Sequence, residues 1–270
     1  MAGKRTNQTI TKSPNEGVPM PTTPQWRHYH ELRPDELAAL RDENPVAFWP
    51  LGLLEHHGWH LPVGFDGIKA ERLCIRIAER TGGVILPVMW WGTGGGHDAF
   101  LWTHYQPPEA VAAMLTTTVE QLIAFDFRVI VLMAGHYPWQ GILDDFLPAI
   151  QNAHKDITLL WGTEASIGGD AVPLPGDHAA KEETSYGLAL FPELVDMDAL
   201  MPGRNEAAAW PAGRMPPEGE RHPGVVFEAD DPLFAQFGED ARQGSAERGE
   251  AGLSKLEDYL AGVIREAIKA

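Results

Sequence analysis

The chain has 270 residues, 44% hydrophobic and 22% charged, enough for one sizeable buried core and at most two domains. Its formal net charge of −17 repels phosphate backbones and anionic headgroups, which argues against nucleic-acid and membrane-surface partners. A single cysteine, Cys74, excludes an internal disulfide and a cysteine-based zinc cluster, so any metal ligands must be His, Asp and Glu.

Residues 1–25 are rich in Thr, Pro, Asn and Lys and poor in large apolar groups, so a flexible tail is expected ahead of a single domain over 26–270. No apolar run approaches a bilayer span, and the N-terminus lacks the apolar stretch of a signal peptide; a soluble, cytoplasmic protein is expected. From Trp26 onward, apolar runs alternate with amphipathic stretches, the rhythm of an α/β fold with a mainly parallel sheet. The pattern predicts a helix over 34–43, a strand over 46–54 and a helix over 67–80 that Asp66 could cap. A strand over 84–91 leads to a loop with Gly92, Gly94, Gly95 and Gly96, then a helix over 109–125 introduced by Pro107 and Pro108. The apolar run 128–134 reads as a buried central strand, followed by a helix over 141–153, a strand over 157–161 and helices over 182–190 and 251–268. Residues 202–247, dense in Gly, Pro and charge, read as a loop-rich excursion over the surface or onto a neighbouring subunit.

Chemistry concentrates where an apolar strand runs into Glu55-His56-His57-Gly58-Trp59-His60, with Asp66 six residues further on. Open α/β sheets hold ligands at the carboxyl ends of their strands. In extended backbone Glu55 and His57 share a face while His56 turns away, and Asp66 could be a third ligand or a bridge between two ions. A mixed oxygen and nitrogen donor set suits Zn²⁺, Mn²⁺ or Fe²⁺ better than Ca²⁺ or Mg²⁺. Taken singly, each histidine reads as a hydrogen-bonding group at a strand end; the cluster points to a metal. His136, after Gly135 at the end of the 128–134 strand, emerges on the same rim if the strands are parallel neighbours. The polar loop Gly176-Asp177-His178 runs into a helix: His178 could move a proton near neutral pH, Asp177 beside it is a second catalytic candidate, and Glu183 either ligates metal or favours the helix dipole.

Other features carry less. The glycine run lacks the Gly-Lys-Ser/Thr ending of a phosphate loop and reads as a mobile lip to a pocket. Ser166 and Ser185 lack a nucleophile elbow, and Cys74 reads as a small core residue. Trp90, Trp91, Trp102, Trp139 and Trp161 would suit aromatic walls around a small ring, although core and subunit packing explains most tryptophans.

These residues resemble the creatininase (creatinine amidohydrolase) family of metal-dependent hydrolases. The resemblance runs from Pro50 through Glu55, His57 and Asp66, then through Gly135-His136-Tyr137, His178 with Glu183-Thr184-Ser185, and Gly238-Glu239-Asp240-Ala241-Arg242 with Gly249. It implies a three-layer α/β/α fold, often hexameric, with a two-metal site that activates water against a small cyclic or linear amide. By motif match, Glu55, His136 and Asp66 would hold one ion and His57 with Asp66 the second, Tyr137 would contact substrate, and His178 would carry the proton. Creatinine-hydrolysing members have Glu two residues after the Gly-His histidine; here that position is Pro138, and Glu183 is the candidate replacement ligand. Their Trp and Asp ahead of the His178 position are Leu174 and Pro175, and their Pro-Gly-Thr reads Leu101-Trp102-Thr103, so creatinine itself is not the expected substrate. The expected function is hydrolysis of a C–N bond in a small amide, lactam or formamide. The alternatives are metal-assisted isomerisation or elimination on a small sugar-like substrate, and a non-catalytic ligand-binding relative.

Overall fold

The computed structural model describes residues 25–211 and 213–269, so the expected tail lies, but for Gln25, outside the described residues. Five strands, β1 (Trp26–His28), β2 (Val46–Leu51), β3 (Gly83–Ile85), β4 (Val129–Ala134) and β5 (Thr158–Thr163), form a wholly parallel sheet in the order β1-β3-β2-β4-β5. Parallel neighbours need crossovers, and helices supply them: α2 (Phe65–Thr81) from β2 to β3, α3 (Pro108–Ala124) from β3 to β4, and α4 (Trp139–Ala153) from β4 to β5. The remaining α-helices among the described residues are α1 (Pro34–Glu43), α5 (Lys181–Leu190), the single turn α6 (Glu206–Ala209) and the closing α7 (Ala246–Lys269).

Successive strand side chains point to opposite faces, and here both faces are apolar. Val129, Val131 and Met133 of β4 pack with Val46 and Phe48 against Leu73 and Ile77 of α2, Tyr186 of α5 and Leu253 and Leu260 of α7. Ile130, Leu132 and Ala134 pack with Trp49 and Leu51 against Leu40 of α1, Leu115 and Val119 of α3 and Leu143 and Leu147 of α4. The result is the expected three-layer α/β/α sandwich.

Several boundaries differ from the sequence reading. The expected strand over 84–91 stops at Ile85, because Pro87 has no N–H for the ladder; a lone parallel bridge from Leu51 to Met89 is what remains of it. β2 ends at Leu51 rather than 54, and α7 begins at Ala246 rather than 251. Asp66 does not cap α2: Gly64 is the flanking residue, Asp66 lies in the first turn, and its carboxylate turns to imidazoles. The segment over 202–247 folds back onto its own domain, where Trp210, Phe227 and Phe234 close around Phe100 in a satellite core. No helix among the described residues is long and apolar enough to cross a membrane.

Candidate metal centre and substrate cavity

The register pairs Leu51 of β2 with Ala134 of β4, so Glu55 and His136 leave the sheet side by side at its carboxyl edge. The start of α2 comes down onto these strand ends only because glycines admit it. A Cβ on Gly52 would lie 2.4 Å from the Gly67 Cα, and one on Gly135 would lie 1.9 Å from the Asp66 carbonyl oxygen. Asp66 is thereby set between the two histidines that motif order alone had linked to it.

Its two oxygens divide between them. Asp66 Oδ1 is 3.1 Å from His57 Nε2, and Oδ2 is 3.3 Å from His136 Nδ1. Glu55 Oε2 stands 3.0 Å from His136 Nδ1, and Glu183 Oε2 stands 3.5 Å from His57 Nε2. Glu55, Asp66 and His136 each offer a ligand atom, all within 4.8 Å of one another; so do His57, Asp66 and Glu183, and so do Glu55, His57 and His178. Asp66 belongs to both of the first two groups. Glu183 joins the His57 group, beside Asp66.

Hydrogen bonds on the outer ring nitrogens decide what the inner ones can do. His57 Nδ1 donates to the Glu55 carbonyl at 3.0 Å, and His136 Nε2 donates to the Gly94 carbonyl at 2.8 Å. The inner nitrogens of the neutral rings therefore present lone pairs to carboxylates, an arrangement that calls for a proton or a metal ion between them. Glu55 Oε2, His57 Nε2 and Asp66 Oδ2 are buried without hydrogen-bond partners, as inward donor atoms of a cation site would be. Nitrogen and carboxylate oxygen together fit zinc or manganese, so these residues fit the metal that the motifs imply.

Without ions, protons take that place. Burial alone would depress His57, but Asp66, Glu183 and Glu55 outweigh it and raise the ring to about 9. His136 is raised well above the ordinary imidazole value, burial again being outweighed, chiefly by Glu55 and Asp66. A raised imidazole stabilises the ion-free fold fully below 6.5, and that contribution is lost as pH climbs through about 9. The chelator-stripped protein is therefore expected to lose melting temperature across this window. Ion loading near neutral pH should release protons, measurable by calorimetry in buffers of different ionisation enthalpy. Loading without proton release would contradict the assignment.

A second layer holds the carboxylates. The fully buried Lys69 ammonium lies 2.8 Å from Glu183 Oε1 and 3.0 Å from Glu164 Oε1, with the Tyr137 ring 4.8 Å away. The Tyr137 hydroxyl donates to Glu164 Oε1 at 2.6 Å, and the Ala179 N–H donates to Glu183 Oε2 at 2.8 Å. Burial pushes Glu183 up, Lys69 and His57 pull it back, and it comes to about 7 without ions.

Beside the centre lies a cavity of about 380 Å³. Glu55, His136, Tyr137, Asp177 and His178 line it, with Gly95, Gly96 and His97 from the glycine loop and His222, Val225 and Phe237 from the returning segment. His178 Nε2 donates to the His56 carbonyl at 2.9 Å, which leaves Nδ1 as an acceptor 3.9 Å from Glu55 Oε2. Burial, with His57 nearby, holds His178 well below the ordinary imidazole range. Asp177 accepts the backbone N–H groups of Glu182 and Glu183 at 2.7 and 3.0 Å; its carboxylate is engaged in starting α5. His56 and His60 stay out of the centre: His56 stacks on Phe100, and His60 bonds Thr184 at 2.8 Å. The tryptophans do not wall the cavity. Trp139 is core, Trp90 packs on Gly64 and Gly67, Trp161 bonds Asp144, and Trp91 and Trp102 are exposed.

Sequence reasoning missed Lys69, Glu164, His97 and Tyr105. Glu164 follows directly on β5, the same strand-end signal that marked Glu55. Lys69 looked like any charge on an amphipathic helix, and only its complete burial distinguishes it.

Buried carboxylates and imidazoles arranged for divalent ions, at the carboxyl edge of a parallel three-layer sheet, define the class: a metal-dependent α/β hydrolase. The chain belongs to the creatininase family of metal-dependent amidohydrolases, whose model, described as creatinine amidohydrolase, matches residues 30–264. It is 28% identical over 263 residues to a creatinine amidohydrolase of Pseudomonas putida, covering 82% of this chain and 89% of that one. It is 26% identical over 250 residues to a 3-dehydro-scyllo-inosose hydrolase of Thermotoga maritima, covering 82% and 76%. A solved variant of creatininase described as of Zn-Zn type superposes with a TM-score of 0.66 at 26% identity, covering 88% of this chain and 97% of that one.

Proposed function

We propose that this chain hydrolyses a C–N bond in a small amide, lactam or formamide other than creatinine, using two divalent ions held by Glu55, Asp66 and His136 and by His57, Asp66 and Glu183. The observation that carries the reading is the position of Asp66, one oxygen toward each imidazole, between two further carboxylates. Divalent ions bound there supply Lewis acidity and bring the pKa of water from 15.7 to about 7. The rest of the work falls to side chains of the chain itself. His178, its tautomer set by the His56 carbonyl, offers Nδ1 to take the proton of the attacking water and return it to the leaving nitrogen. Tyr137, with its hydroxyl held by Glu164, forms the wall against which substrate is oriented. Pro138, Val225 and Phe237 give that wall apolar surface, and Pro138 contributes no donor where creatinine-hydrolysing members have a glutamate. The homo-oligomer implied by the family, a hexamer, belongs to the same proposal; a monomeric mass in solution contradicts it.

The second reading is chemistry on a small polyhydroxylated ring, favoured by the relative named for 3-dehydro-scyllo-inosose hydrolysis. Zinc- and manganese-loaded protein screened against cyclic amides, formamides and cyclic polyol ketones in ¹⁸O-labelled water separates the two. Amide hydrolysis frees an amine, as a separate product from a linear amide or formamide and on the ring-opened acid from a lactam, and places one ¹⁸O in the new carboxylate. Label in a new carboxylate with no amine freed supports the second reading, and an isomer or elimination product that gains no carboxylate overturns both hydrolytic readings.

A further inference from the structure

We propose that Tyr105 is a positioning residue, one phenol that orients the ligand Glu55 and pins the glycine loop of the cavity wall to it. The inference rests on the two-ion reading above. The Tyr105 hydroxyl donates to Glu55 Oε1 at 2.8 Å and accepts the His97 N–H at 3.1 Å. One carboxylate oxygen is thus claimed by the phenol, and Oε2 is left facing His136 Nδ1 at 3.0 Å, buried and without a hydrogen-bond partner.

The loop is shaped around this hydroxyl. A Cβ on Gly95 would lie 2.4 Å from the Tyr105 oxygen and 3.4 Å from Glu55 Oε1, and the residue sits at φ +116°. The next residues close the circuit: Gly96 and His97 line the cavity, and His97 Nε2 donates to the Ala235 carbonyl of the returning segment at 2.9 Å. The Gly94 carbonyl, one residue earlier, accepts from His136. Both side chains of the Glu55–His136 pair are therefore oriented from one short loop, and Tyr105 is the contact between that loop and the carboxylate. Partners behind a ligand fix its orientation, and their loss typically costs about 10- to 100-fold in metal affinity or activity.

The test is Tyr105→Phe in the full chain, stripped with chelator and titrated with zinc by calorimetry. The expected result is a loss of about 10- to 100-fold in the affinity of one zinc ion, with the other within about threefold, and faster amide exchange at His97. A merely structural phenol would lower the melting temperature and leave the two affinities in their parental ratio. Gly95→Ala, which pushes a methyl into the hydroxyl, is expected to reproduce the selective loss. Two zinc affinities unchanged in both variants overturn the inference while the two-ion reading stands; a parent chain that takes up no zinc overturns both.

Discussion

An Asp66→Ala variant is expected to lose turnover by about a thousandfold or more and to retain fewer than two ions per chain. The size of the effect follows from Asp66 serving both ligand groups, with Oδ1 on the His57 side and Oδ2 on the His136 side. Removing a ligand that served one ion would leave the other in place; removing this one takes an oxygen from each. The benefit at stake is a drop of about nine units in the pKa of water, so even partial loss exceeds what substrate positioning can restore. Metal analysis of the purified variant, alongside its turnover, checks the prediction. Two ions and parental turnover would refute the bridging role. Asp66→Asn, which keeps the shape and removes the charge, should fail similarly and so separate ligation from packing.

The second large effect is one of stability. Lys69→Met is expected to destabilise the fold by about 3–5 kcal/mol, because it leaves Glu164 and Glu183 buried without their common cation. For a chain of this size that corresponds to a fall of roughly 6–20 °C in melting temperature. The methionine fills most of the lysine's volume, so lost charge rather than a cavity dominates. Combining it with Glu164→Gln removes one of the stranded charges and should recover part of the loss. Thermal melts of the two single variants and the double variant measure this. A Lys69→Met protein melting within about 2 °C of the parent would show that the ammonium is not what holds the two carboxylates.

Much of the centre was legible in the chain because its signals are local. Glu55 and His57 stand two apart just beyond an apolar strand, and Gly135-His136 ends another; neither observation needs a tertiary contact. Parallel pairing of β2 with β4 was the one added assumption, and the register bears it out. Asp66 illustrates the limit. Its place ahead of an amphipathic helix suited a cap equally well, and only the close approach of Gly67 to Gly52 and of the Asp66 backbone to Gly135 aims it at the imidazoles. The segment over 202–247 was illegible for a different reason: its Phe227, Phe234 and Trp210 lack a helical or strand period and find their partner, Phe100, more than a hundred residues away.

By itself the sequence determined an α/β fold with a mainly parallel sheet and a donor set of His, Asp and Glu without cysteine, because composition and short-range periodicity act within a few residues along the backbone; the three layers were implied by the family resemblance. Only the tertiary structure decided which Asp66 oxygen faces which imidazole, that Glu183 sides with His57, and that Tyr105 and Lys69 bond the carboxylates from behind. Those choices are made by distances of about 3 Å between side chains tens of residues apart, and such distances exist only once the helices have been laid across the sheet.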